Sequence, residues 1–134
     1  MAFQPRERAF AAIFAGVFAG FAVIFVMEML APWHPPQDLD MADRQQTARW
    51  IAGLPLSAFL FLALTYFLGA AVGGYVTNKI AAPTPYRPAL ITGVGLFAAG
   101  VSNFWSIPHP LWFVVLASVL YFVGAWIGGR AVRR

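Results

Sequence analysis

The chain has 134 residues, of which 60% are apolar and only 10% are Asp, Glu, Lys or Arg, with 13 phenylalanines and no cysteine. Ordinary soluble domains carry about 25% charged residues, so this composition cannot cover a water-facing surface, and without cysteine there are no disulfides, thiolate metal sites or cysteine nucleophiles. A net charge of +4 would suit nucleic acid in a soluble protein, but the cations sit in the gaps between apolar runs and read as flanks of membrane spans.

A span needs about 20 apolar residues to cross a hydrocarbon core of about 30 Å. The first such segment covers 9–31 and follows Arg6 and Arg8. It is too long for the core of a secretory signal, and no small-x-small cleavage site follows "VMEMLAPW", so it reads as a retained span. Ala12, Gly16 and Gly20 share one face of it, while Phe10, Phe14, Phe18, Phe21 and Phe25 form a ridge on the other, turned to lipid or a partner. Next comes the one long polar stretch, "HPPQDLDMADRQQTARWIAGLP". Asp40 is expected to cap a short helix over about 40–52, ended by Gly53 before Pro55. Leu39, Ala42, Trp50 and Ile51 give that helix an apolar side, which suits a helix lying flat on the outer membrane face. Three more spans follow at 54–76, 88–107 and 110–129, joined by "TNKIAAPTPYRP" and "IPHP". Their apolar runs are continuous rather than alternating, which gives helices and not barrel strands. The expected fold is a single all-α domain: a four-helix transmembrane bundle with a short interfacial helix in its first outer loop.

Arg6, Arg8, Lys79, Arg87, Arg130, Arg133 and Arg134 fall on one side of these spans, and only Arg44 and Arg49 on the other. This bias places both termini in the cytoplasm. Trp33, Trp50, Trp105 and Trp112 gather near the outer face, the ordinary place for anchoring indoles.

The chain also repeats itself. "YFLGAAVGG" at 66–74 returns as "YFVGAWIGG" at 121–129, six of nine letters identical, and Pro55-Leu56 aligns with Pro110-Leu111 under the same shift of 55. A weaker match at a shift of 75 relates Gly20 to Gly95, Glu28 to Asn103, and the His-Pro pair at 34–35 to that at 109–110. These shifts suggest a duplicated helical hairpin, two parallel halves about an axis along the membrane normal. Gly69 and Gly73, and Gly124 and Gly128, then form matched notches at one depth, where backbones can approach closely. Together with Gly16 and Gly20 they are the expected helix-packing positions, and the second and fourth spans are expected to meet through their notches.

Candidates for chemistry are few. Glu28 is the only acidic residue inside an apolar run, and a carboxylate in a span is a functional candidate by default. Its place one turn before Pro32 also lets it reach the headgroups. With Asn103, His34 and His109 it makes a candidate polar site for a cation or a proton. No HxxxH, ExxH or HxH spacing supports a metal, and there is no GxSxG elbow, Walker loop or dinucleotide fingerprint, so no cofactor is expected and enzymatic activity has no positive support. Tyr66 and Tyr121 are weaker candidates, hydrogen-bonding within the bundle.

The motifs "LPLSAF", "LGAAVGG" and "IPHPLWF" resemble those of a group of small bacterial inner-membrane proteins with four predicted helices and no established activity. That resemblance implies a multi-pass protein of the bacterial inner membrane. Small multidrug-resistance transporters share the length and a glutamate in the first helix, but theirs lies nearer the membrane middle, and the cation bias here favours one orientation. Fluoride channels share the size without their asparagine and phenylalanine signatures being recognisable here. The functional expectation is a non-enzymatic protein acting by helix packing, as a homo-oligomer or an accessory subunit of a membrane complex, with no nucleic acid involved. The alternative is a small transporter or proton/cation pathway using Glu28 with Asn103 and the two histidines.

Overall fold

The computed structural model describes residues 5–81 and 87–132. Arg133, Arg134 and the 82–86 part of the loop between the second and third spans lie outside the described residues. Five helices follow one another among those described: α1 (Pro5–Leu30), α2 (Arg44–Ala52), α3 (Leu56–Ala81), α4 (Arg87–Ser106) and α5 (Leu111–Ala131). All but α2 are long and apolar enough to cross a membrane, so this is a multi-pass architecture. α1 and α3 have 26 residues each, about 39 Å at 1.5 Å per residue, and overshoot a hydrocarbon core of about 30 Å. The surplus lies mainly at the end of the bundle that carries both termini, where Arg6, Arg8 and Lys79 sit on helical turns rather than in loops.

The short helix starts later than expected. Asp43, not Asp40, is its cap: the Asp43 carboxylate accepts from the amides of Gln45 and Gln46 at 2.9 and 3.2 Å, and the Gln46 side chain donates back to it at 3.0 Å. Asp-x-x-Gln has the spacing of a capping box, but the return bond differs: Gln46 donates to the Asp43 carboxylate, and the Asp43 amide donates to the Asp40 carbonyl. Asp40 instead accepts from the Ala42 amide in the preceding turn, at 2.9 Å. Gly53 does end the helix, its amide donating to the Arg49 and Trp50 carbonyls at 3.2 and 3.1 Å.

α3 is the hub of the bundle. It packs against α1, α4 and α5, and α4 touches the same outer pair, whereas α1 and α5 do not meet among the described residues. In cross-section this is a rhombus with α3 and α4 across its short diagonal. Helix direction alternates along the chain, so α1 runs parallel to α4 and α3 to α5.

The glycines show why the backbones come so close. A Cβ on Gly20 would lie 2.9 Å from the Gly69 carbonyl oxygen, and one on Gly73 would lie 2.8 Å from that of Gly16. A Cβ on Gly124 would lie 2.6 Å from the Phe67 carbonyl oxygen, and one on Gly128 would collide with that of Ala71. The second and fourth spans therefore do meet, but not notch to notch. α3 turns Gly69 and Gly73 towards α1, and receives Gly124 and Gly128 on Phe67, Ala70 and Ala71, with its own Gly74 against Ala125. A central helix has to serve several neighbours, and "GAAVGG" supplies small residues on two of its faces. Hydrophobic drive between helices is weak in lipid, so such close packing is what holds spans together.

Hydrogen bonds reinforce the same end. Thr77 Oγ1 and Thr92 Oγ1 lie 2.6 Å apart and join α3 to α4, and the Asn78 amide donates to the Gly129 carbonyl on α5 at 3.1 Å. Thr77, Asn78 and Thr92 are all buried. Arg8 Nε donates to the Ile80 carbonyl at 2.7 Å, placing a cation at the carbonyl end of α3. Thr65, Thr92 and Ser118 also return their hydroxyls to carbonyls one turn back, as their positions in apolar helices require.

Towards the α2 end the core changes character. Phe59, Tyr66, Phe113 and Tyr121 are buried there beside Ala58, Ala63 and Ala117. Phe113 is ringed by Phe59, Tyr66, Phe104 and His109, with centroid separations from 5.4 to 6.3 Å. Rings of this size hold the helices further apart.

Candidate functional site

Tyr66 lies ten residues into α3 and Tyr121 ten residues into α5, each about 15 Å from the α2 end, near the middle of a span. The two rings stack at 5.2 Å between centroids and 20° between planes. Both are 2% exposed. Asn103, in the last turn of α4, donates from Nδ2 to the Tyr66 hydroxyl at 3.2 Å. The Tyr121 hydroxyl lies over Gly100, where a Cβ would come within 2.8 Å of it, so glycine leaves the room for this ring. It has no hydrogen-bond partner among the described residues.

Glu28 completes the group from the last turn of α1. Its carboxylate makes no ion pair or side-chain hydrogen bond among the described residues. With Tyr66, Asn103 and Tyr121 it lines a cavity of about 570 Å³, whose apolar wall includes Phe18, Phe21 and Phe25. A second cavity of about 290 Å³ lies towards the α2 end and is lined by His34, His109, Trp33, Trp50 and Ile51. Glu28, Tyr66 and Asn103 belong to the walls of both. The two spaces thus adjoin at one polar partition.

His109 sits in the connection between α4 and α5. Its Nδ1 is 2.7 Å from the Ile107 carbonyl oxygen; a carbonyl only accepts, so Nδ1 carries the proton and Nε2 the lone pair. The ring stacks on Phe113 at 5.4 Å. Burial pushes its pKa below the ordinary histidine value, and the Ile107 bond offsets only part of that, so His109 is neutral at pH 7. His34 is exposed at the edge of the same cavity. α2 stays close to this end through Arg44, which donates to the Trp105 carbonyl at 2.8 Å.

The four polar residues singled out in the sequence therefore come together: Glu28 and Asn103 line the larger cavity, and all four line the smaller one. The six glycines lie elsewhere, in contacts between helices of this chain. Two features escaped sequence reasoning. Tyr66 and Tyr121 were matched by the repeat and named only as weaker hydrogen-bonding candidates, and nothing in the sequence showed that their rings stack on each other. The ridge on α1 read as a plain apolar face, yet Phe18, Phe21 and Phe25 border the cavity.

Chemically the site offers one carboxylate, an amide, two phenols and aromatic walls. Among the described residues no three His, Asp or Glu side chains converge as a metal site would require. The arrangement suits holding a single positive charge or a proton. The chain matches no family model, no curated protein and no solved structure, so the resemblance to small bacterial four-helix membrane proteins rests on its motifs.

Proposed function

We propose that the protein binds and passes a monovalent cation or a proton across part of the membrane, with Glu28 as the group that carries the charge. The observation that supports this most is the shared wall: Glu28, Asn103 and Tyr66 stand between a cavity reaching mid-span and one reaching the end that carries α2. A carboxylate at such a junction accepts either a proton or a cation, and the arrival of one displaces the other. An acid at the edge of an apolar span is a candidate for ion and proton paths, and Glu28 is exposed in the last turn of α1, within reach of an ion arriving from the α2 end.

The finer expectations belong with this reading. Both termini lie in the cytoplasm of a bacterial inner membrane, α2 rests on the outer face, and His34 and His109 stand at the outer mouth. The hairpin duplication gains support from the cavity itself, since Glu28 and Asn103 are one pair related by the repeat and Tyr66 and Tyr121 are the other. Helix packing within a homo-oligomer or a larger complex is the competing account. Its glycine notches are already covered by the chain's own helices, so it would have to use the exposed apolar faces instead, such as Phe10 and Phe14 on α1, Ile91 and Val94 on α4, or Val115 and Ile127 on α5.

Proteoliposomes test the choice. Purified protein should carry a proton or monovalent-cation flux that falls to the level of empty vesicles in Glu28→Gln. Equal flux in wild type and variant, with both correctly inserted, removes Glu28 from any pathway and returns the question to packing.

A further inference from the structure

We infer that the larger cavity is a binding site for an organic ammonium ion bearing apolar substituents, which reaches it from within the bilayer. This deepens the proposed function and rests on it, by naming the class of cation that Glu28 receives.

Three observations carry the inference. The first is size. A cavity of about 570 Å³ falls in the range of small-molecule sites, about 300–1,000 Å³, whereas a bare inorganic ion would occupy only a small part of it. The second is chemistry. The carboxylate of Glu28 stands among Phe21, Phe25, Tyr66 and Tyr121, and aromatic faces around one negative charge stabilise an alkylated ammonium without having to replace a tightly held hydration shell. Tyr121 lines the same space, and its hydroxyl, with no hydrogen-bond partner among the described residues, can accept from an N–H or a polarised C–H of the ligand. The third is the route. Phe18 and Phe25 border the cavity and are 77% and 65% exposed, so the mouth opens on the side of the bundle. Phe18 lies twelve residues before the end of α1, about 18 Å along the helix, so that mouth is at hydrocarbon depth. A cation with apolar substituents partitions into that layer, and a small hydrated ion does not.

The test is binding of benzyltrimethylammonium to the full chain in nanodiscs by titration calorimetry, with empty nanodiscs subtracted. The controls are neopentylbenzene, its uncharged isostere, and potassium chloride. Saturable ammonium binding is expected, weakening as the pH is lowered and a proton competes for the carboxylate. Glu28→Gln should weaken it about ten- to a hundredfold. The double variant Phe21→Leu with Phe25→Leu keeps the wall apolar and its fold intact, since both residues are exposed; it should weaken ammonium binding about tenfold and leave the isostere unaffected. Equal affinity for the isostere overturns the inference, because the cavity is then merely greasy, and so does ammonium binding that ignores Glu28→Gln. A Glu28-dependent proton or potassium flux without ammonium binding also overturns it while the proposed function stands. Absence of both the flux and the binding overturns the two together.

Discussion

The two halves of this bundle are built on opposite principles. At the end that carries the termini, Gly16, Gly69, Gly73, Gly124 and Gly128 bring backbones into contact, and Thr77, Thr92 and Asn78 close the remaining gaps with hydrogen bonds. At the α2 end, Phe59, Tyr66, Phe113 and Tyr121 hold the same helices apart, and two cavities open around Glu28. One half fixes the helices in place so that the other can remain hollow. A protein of four spans has few contacts to spare, so concentrating close packing at one end is how it keeps space at the other without falling apart.

That contrast can be broken most directly with a side chain in the closed half. Gly128→Ala drives its Cβ into the Ala71 carbonyl, which is backbone and cannot turn aside. Overpacking of this kind costs about 1–3 kcal/mol and occasionally more, so the variant is expected to lose its cooperative thermal transition in detergent. Gly100→Ala is the matched change in the open half. The three atoms nearest its Cβ would all belong to the outer end of the Tyr121 side chain, which borders the cavity and can shift into it, so the melting temperature should stay close to wild type while ligand or ion binding suffers. Equal damage from the two would erase the distinction between the halves.

Glu28→Gln sharpens it from the functional side. The carboxylate has no side-chain partner among the described residues, so stability should remain within about 0.5 kcal/mol, as for substitutions away from such features. Flux should nevertheless be lost. A smaller effect is expected for Thr92→Val, which removes the hydroxyl contact between α3 and α4; interhelical hydrogen bonds in membranes average about 0.6 kcal/mol, readable as a modest shift in unfolding. The smallest effect concerns pH. His109 is held neutral by burial, with its pKa lowered from an ordinary 6.5, so the unfolded chain takes up a proton before the folded one does. Stability is therefore full above pH 6.5 and declines as the pH falls from there through the lowered pKa. His109→Phe should remove that decline from acid unfolding curves.

Much of the architecture was legible in the residues, and the reasons differ from element to element. The four spans follow from apolar runs that no soluble surface could accommodate. Close packing at Gly16, Gly69 and Gly124 follows from the spacing of small residues. What spacing cannot reveal is the partner, because a notch is complementary to any backbone: α3 gives Gly69 and Gly73 to α1 and a different face to α5. The cap of α2 was within reach, since Asp43 and Gln46 have the spacing of a capping box, but Asp40 stands where an earlier start would place it. Glu28 and Asn103 were paired by the shift of 75 alone. The tyrosine stack and the cavity were not, because they depend on how far Phe113 and its neighbours hold the helices apart, a property of three-dimensional packing with no local signature.

The central claim is that Glu28 is the charge-bearing group of a cation site, and nuclear magnetic resonance of carboxyl-labelled glutamate in nanodiscs reads it directly. Only Glu7 and Glu28 contribute signals, and Glu7→Gln assigns them. Added organic or inorganic monovalent cation should shift the Glu28 carboxyl resonance in a saturable way and leave Glu7 unmoved. A Glu28 signal that stays put at saturating cation, or that moves together with Glu7, would contradict the claim.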